Sequence, residues 1–221
     1  MPWDLTPLGE AALIVRVGDS LGNVLTITRK LEAAKIRGVV DIAPACASVA
    51  VFFASPEALT NGTNTIHAIL RGRNPARRAK QKLRVIEVPV CYEPEYGLDL
   101  EIVSQVSRLS PREIALRHAA ASYRVRCIGF TPGFPYLGGL PRILATPRRA
   151  SPRLAVPPGS VAIGGVQTGI YPLASPGGWN IIGRTPLRLF DIEREPAVLL
   201  KTGDRVRFVA ITSEEFRRWE K

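Results

Sequence analysis

GFTPGFPYLGGLP (129–141) and GSVAIGGVQTGIYPLASPGGWNIIGRTP (159–186) decide how this 221-residue chain is read. Eleven of its 19 glycines and ten of its 19 prolines lie between Gly129 and Pro186. Around and between them run short apolar segments: RVRCIGF (124–130), LAVPPGSVAI (154–163), IIGRTPLRLF (181–190) and DRVRFVA (204–210). Many short strands punctuated by Gly/Pro turns predict a β-barrel or sandwich rather than parallel βαβ units. The same region is chemically one-sided. No residue between Glu113 and Asp191 is acidic, and its nine basic residues of the Lys/Arg class, Arg117 to Arg188, are all arginine. Such a segment supplies no carboxylate base or hard-metal cage of its own. It supplies guanidinium groups, hydroxyls and backbone N–H donors, the groups that hold anions.

Upstream of the barrel the pattern changes. AALIVRV (11–17) reads as a buried strand, and Leu21, Val24, Leu25, Thr28 and Leu31 then follow helical spacing. VVDIAP (39–44) and SVAVFF (48–53) are two more strands, and Ser55-Pro56-Glu57 opens a second helix with proline at its first position. This β-α-β-β-α order predicts a ferredoxin-like α/β domain over residues 1–80, ahead of the barrel domain of residues 81–221. The fold class is therefore α+β. RVIEVPVCY (84–92) reads as a strand and LDLEIVSQVSR (98–108) as a helix. Ser110-Pro111-Arg112-Glu113 has the form of a capping box at the head of another helix, and ITSEEFRRWEK (211–221) of a short terminal one.

Composition excludes several classes. A hydrophobic share of 46% with 22% charged residues is ordinary for a soluble globular chain with a buried core. MPWDLTPLGE (1–10) lacks the apolar centre of a signal peptide, and no run reaches the roughly 18 apolar residues of a membrane span. A cytoplasmic location is expected. Cys46, Cys91 and Cys127, widely spaced among apolar neighbours, read as reduced, packed thiols. The net charge of +11 is concentrated in part in RGRNPARRAKQKLR (71–84), with seven basic residues and no acid. With no aromatic interleaved for base stacking, this stretch reads as a solvated linker, and no nucleic-acid partner is expected.

Three constellations carry candidate chemistry. In 129–141, Phe134 and Tyr136 alternate with residues that demand particular backbone angles, which fits either a tight barrel corner or a pocket wall. In GGVQTGIY (164–171), Gln167 and Thr168 are suited to orient an amide, carbonyl or carboxylate, and Tyr171 offers a phenol. The segment is neither a phosphate-binding P-loop, which needs Gly-Lys-Ser/Thr, nor a G-x-S-x-G nucleophile elbow. Arg184, with no acid near it in sequence, is either free for an anionic ligand or paired with a distant carboxylate such as Asp191 or Glu113. Of the two histidines, His67 reads as structural. His118, near a helix end within the acid-free segment, is a candidate acid/base or hydrogen-bond donor. Neither belongs to a metal-ligand pattern, so no metal is expected.

With these motifs in hand, a resemblance emerges. GFTPGFPYLGGLP, ATPRRASPR (145–153), VPPGSVAIGG (156–165) with QTGIYP (167–172), SPGGWNIIGRTPLRLFD (175–191) and TGDRVRF (202–208) are similar to the allophanate hydrolase subunit 1 family. That family includes KipI and the B subunit of 5-oxoprolinase. PLGEAALIVRVGD (7–19) and IEVPVCYEPEYGLDLEIV (86–103) extend the resemblance over nearly the whole chain. Two positions depart from it: Leu140 runs directly into Pro141 where the family reads an acid, and Val166 stands where it commonly has Asn.

The resemblance implies a cyclophilin-like barrel, though no isomerase activity comes with a fold alone. It implies the B subunit of a bacterial-type 5-oxoprolinase, a cyclic amidase whose complex consumes ATP to open 5-oxoproline to glutamate. The partners it implies are a homologous, cyclophilin-like and KipA-like C subunit, and a TIM-barrel-like A subunit. Arg184 would then bind the substrate's anion, Gln167 and Thr168 its amide or carbonyl, with Phe134, Tyr136 and Tyr171 as walls and His118 as the catalytic candidate. The alternatives within the resemblance are a KipI-like inhibitor binding a sensor histidine kinase and one component of an allophanate or urea-related amidase.

Overall fold

The computed structural model describes residues 3–72 and 84–219. The basic linker expected at 71–84 lies, from 73 to 83, outside the described residues. The chain divides into two compact units, Met1–Lys82 and Leu83–Lys221.

The first unit contains β1 (Asp4–Pro7), β2 (Ala12–Arg16), α1 (Leu21–Ala33), β3 (Val39–Pro44), β4 (Ser48–Phe53) and α2 (Pro56–Arg71). Each expected element is present. On β4 the period of two is clean: Val49, Val51 and Phe53 are buried and their neighbours are half-buried. Both helices begin on serine caps, with Ser20 accepting from the Asn23 amide and Ser55 from that of Ala58. Val24, Ile27 and Leu31 of α1 and Ile66 and Leu70 of α2 then close over the sheet. The sheet is antiparallel in the order β1-β2-β4-β3. Its edge strand β1, DLTP, is an addition to the expected elements, because four residues ending in proline carry no alternation to read.

The second unit contains β5 (Val85–Cys91), α3 (Leu100–Ser107), α4 (Pro111–Ala120), β6 (Tyr123–Ile128) and β7 (Pro135–Gly138). It continues with β8 (Arg153–Val156), β9 (Ser160–Gly164), β10 (Gln167–Ile170), β11 (Ser175–Gly177), β12 (Asn180–Arg184), β13 (Arg205–Ile211) and α5 (Ser213–Trp219). Seven strands close into a barrel in the order β10-β7-β6-β13-β5-β12-β9, with β8 and β11 paired as a separate ribbon. Of the barrel-or-sandwich alternatives, the barrel is the one formed. All its pairings are antiparallel except β5 with β13.

Strands β9 and β12 are buried on both faces. Val161, Ile163 and Ile182 point into the main core, while Ala162 and Ile181 face a second apolar cluster with Phe134, Tyr171 and Trp179. The glycine density follows from this second layer. A Cβ on Gly164 would lie 2.4 Å from the Trp179 ring, and one on Gly177 would lie 2.4 Å from the Tyr171 oxygen. The rings rest directly on backbone.

The second unit is also tied by a carboxylate that the acid-free segment lacks. Asp99, just ahead of α3, has a side chain only 2% exposed. Its oxygens accept from Arg149 Nη1 at 2.6 Å, from Arg153 Nη1 and Nη2 at 2.7 and 2.9 Å, and from the Ile181 amide at 2.8 Å. Its own amide donates to the Ile181 carbonyl at 2.8 Å. One side chain thus joins the start of α3, the 149–153 segment and the start of β12. Asp99→Ala leaves two guanidinium groups without their buried counter-ion and is expected to cost about 3 kcal/mol. Urea denaturation of the variant measures this; an unchanged midpoint contradicts it.

Candidate functional site

The second unit offers three places built from the sequence candidates, and they are distinct. The first is the aromatic layer on the outer face of the barrel. Phe134 sits at its centre, edge-on to Tyr136 (4.9 Å), Tyr171 (5.1 Å) and Trp179 (5.6 Å). Phe130 covers it from outside, 60% exposed and held at φ +68°. A bulky side chain in the left-handed region is strained, and such residues cluster at functional sites. Gln167 opens β10 at a half-buried position. By strand alternation it shares the face of Gly169, where a Cβ would meet the Phe134 ring at 2.8 Å.

The second place is inside the barrel. His118 is fully enclosed. Its Nδ1 lies 2.8 Å from the Tyr92 hydroxyl and its Nε2 3.0 Å from Thr168 Oγ1. Thr168 donates its single proton to the Ala162 carbonyl at 2.9 Å. It must therefore accept from Nε2–H, leaving Nδ1 to accept from Tyr92. Burial, together with nearby Tyr123, pushes the Tyr92 phenol well up, so it stays a donor. Burial brings His118 down to about 3, so the ring is neutral at ordinary pH. Every polar side-chain atom in this hydrogen-bonded row is engaged. We therefore assign His118 and Thr168 to the scaffold, against the expectation that they act on a ligand.

The third place surrounds Arg184 at the end of β12. A pocket of about 510 Å³ is bounded by Pro158, Pro172, Leu173, Leu187, Ile192 and Phe216, with Arg184, Arg188 and Asp191 as its charged groups. Arg184 Nε donates to the Pro158 carbonyl at 2.8 Å, and its guanidinium lies 5.7 Å above the Phe216 ring. Neither carboxylate considered as its partner is available. Asp191 pairs with Arg188 at 3.2 Å, and Glu113 closes the capping box on Ser110. The structure thus brings Phe134, Tyr136 and Tyr171 together with Gln167 on the same face; none of the four lines the pocket at Arg184, whose Gly159 amide donates to the Tyr171 carbonyl at 2.7 Å.

The chain's relationships can now be set beside this geometry. A family described as "Carboxyltransferase domain, subdomain C and D" matches residues 3–200. The chain belongs to this family. Within it, the chain is 35% identical over 232 aligned positions to the Bacillus subtilis protein named as the B subunit of 5-oxoprolinase, covering 99% of this chain and 97% of that one. An Escherichia coli protein of the same name is 46% identical over 205 residues, 91% of this chain and 93% of its own. Among solved structures, TTHA0988 superposes with a TM-score of 0.78 at 36% identity over 91% of this chain. The chain spans 40% of the length of TTHA0988.

Two functional groups escape a reading of the sequence. Asp99 lies within a helical pattern, and nothing local announces partners 50 and 54 residues away. Phe216 shows in sequence only as part of a terminal helix. Among the described residues, no cluster of three or more His, Cys, Asp or Glu is placed to hold a metal. None of their helices is long and apolar enough to cross a membrane.

The neutral His118 has a consequence for this family member's stability. Its folded pKa lies below the ordinary value, so protonation favours the unfolded chain. Its contribution is present above about pH 6.5 and is lost progressively as pH falls towards about 3. Urea unfolding between pH 7.5 and 5 is expected to show this loss, with a shallower slope for His118→Gln. A His118 imidazole resonance that titrates near 6.5 in the folded protein contradicts the assignment.

Proposed function

We propose that this chain is the B subunit of an ATP-dependent 5-oxoprolinase, a cyclic amidase complex that opens 5-oxoproline to glutamate. The observation that carries the reading is similarity along almost the full length of a relative so named, 35% identity over 97% of it. That the relative is named as one of several subunits also supports work in a complex. The partners we propose are a homologous cyclophilin-like barrel, the C subunit, and a TIM-barrel-like A subunit. The names of the relatives give no support to a kinase inhibitor or an allophanate amidase, and those readings are set aside.

The chemistry fits a division of labour. Opening the lactam adds water across the ring C–N bond and yields a carboxylate and an amine. An amide carbonyl is a poor electrophile, so the step needs an activated carbonyl and a base. Around Arg184, this chain supplies hydrogen-bond donors and apolar walls, with one lining carboxylate, Asp191, already paired. We assign it substrate binding and assign ATP use and catalytic completion to the assembled complex. Arg184 takes the substrate's carboxylate. Gln167, with Phe134, Tyr136 and Tyr171, forms a second contact face on the outside of the barrel.

The finer fold assignments belong to the same proposal. Residues 81–221 are read as a cyclophilin-like barrel, and residues 1–80 as a ferredoxin-like layer whose edge strand comes from the N-terminal side. A cytoplasmic location follows from the reaction, since ATP is required.

The test is reconstitution. With the A and C subunits present, adding this chain is expected to restore ATP-dependent glutamate formation from 5-oxoproline, read by amino-acid analysis. Turnover that is the same without it sinks the proposal.

A further inference from the structure

The pocket at Arg184 has a charge pattern that selects among anions. Its three charged groups are Arg184, Arg188 and Asp191. Arg188 Nη1 is held by Asp191 at 3.2 Å. The Glu193 amide and the Arg188 guanidinium keep the Asp191 carboxyl below its usual range, so it remains ionised and that pair neutral. Arg194, outside the lining, also acts on Asp191. Among the residues lining the pocket one positive charge is left, on Arg184. Among the described residues no carboxylate lies in ion-pair contact with it. Its Nε is fixed on the Pro158 carbonyl and its plane rests over Phe216, so the Nη nitrogens are held in a set direction without being used. Phe216 is itself fixed, 1% exposed and 4.4 Å from the Tyr96 ring. The rest of the wall is proline, leucine, isoleucine and phenylalanine with Gly159 and Thr185, whose hydroxyl already accepts from the Leu187 amide at 3.2 Å.

We propose that this pocket is a monocarboxylate site: it binds a singly charged anion with a compact, partly apolar body, and disfavours nucleotide phosphates. A planar guanidinium with two free N–H groups matches a carboxylate's two oxygens. The apolar wall suits a small ring better than it suits a second charged group. A di- or triphosphate brings more negative charge than Arg184 alone compensates. This deepens the 5-oxoprolinase reading and rests on it for the identity of the natural ligand, the lactam carboxylate. The ATP of that reading does not fit here.

Direct binding to the purified chain, by calorimetry, tests the proposal with 5-oxoproline, 2-pyrrolidinone (the same ring without the carboxylate), inorganic phosphate and ATP. The expected order places 5-oxoproline at least about tenfold tighter than 2-pyrrolidinone, with ATP unable to displace it. Arg184→Ala is expected to weaken 5-oxoproline about tenfold and leave 2-pyrrolidinone unchanged, while Arg184→Lys recovers part of the loss. Asp191→Asn frees Arg188 and is expected to admit inorganic phosphate; this variant keeps the test open should Arg184→Ala fail to fold. Equal binding of the lactam with and without its carboxylate, displacement by ATP, or no saturable carboxylate binding overturns the proposal. The two readings separate in the assembled complex. Full turnover with Arg184→Ala removes the pocket and leaves the chain's place in the complex. A chain that binds 5-oxoproline through Arg184 yet adds nothing to turnover loses its place in the complex and keeps the pocket.

Discussion

The second unit depends on one buried carboxylate. Asp99 has four donors within 2.6–2.9 Å, three from guanidinium groups and one from backbone. A buried ion is tolerated only when such bonds replace its water, and here they do. The arrangement fixes more than a side chain. It pins the start of α3 to the start of β12, and it brings the segment carrying Arg149 and Arg153 onto the same point. Trp179, two residues before Ile181, is thereby held over Gly164. The aromatic layer, the β8–β11 ribbon and the outer faces of β9 and β12 all assemble around that fixed geometry.

The same interaction decides which arginines remain for a ligand. Arg149 and Arg153 are committed to Asp99, and Arg188 to Asp191. Arg148 lies 5.8 Å over the Trp179 ring. The acid-free segment thus spends much of its cationic character on its own architecture, with counter-ions drawn from the stretches on either side of it. Arg184 is oriented and, among the described residues, has no carboxylate in ion-pair contact. The chemistry of the site therefore follows from electrostatic satisfaction elsewhere, and a surplus of arginine alone does not define it.

Much of the fold is legible in the sequence because its signals are local. The alternation of SVAVFF, the serine-proline starts of α2 and α4, and the complete capping box at Ser110 and Glu113 each appear where expected. The Gly/Pro-punctuated strands likewise point to the barrel that forms. What stays hidden is long-range. The parallel pairing of β13 with β5 joins residues about 120 apart, and no local pattern encodes it. His118 illustrates the same limit for chemistry. Its position near a helix end in the acid-free segment suggests an acid or base, yet the barrel encloses it between Tyr92 and Thr168. Thr168 follows it, since β10 turns it inward while its neighbours face out. Arg184 and the aromatic residues are identifiable by type, but only the fold shows that they occupy separate places.

We propose a scaffold that holds one substrate anion and leaves the bond-breaking to a larger assembly. Its central claim is positional: the carboxylate of the ligand meets Arg184, away from the aromatic layer. A crystal structure of the chain with 5-oxoproline tests that most directly. The account predicts the ligand's carboxylate about 3 Å from the free Nη atoms of Arg184, with its ring against Leu173 and Ile192. A ligand lodged instead beside Gln167 and Tyr136 contradicts it.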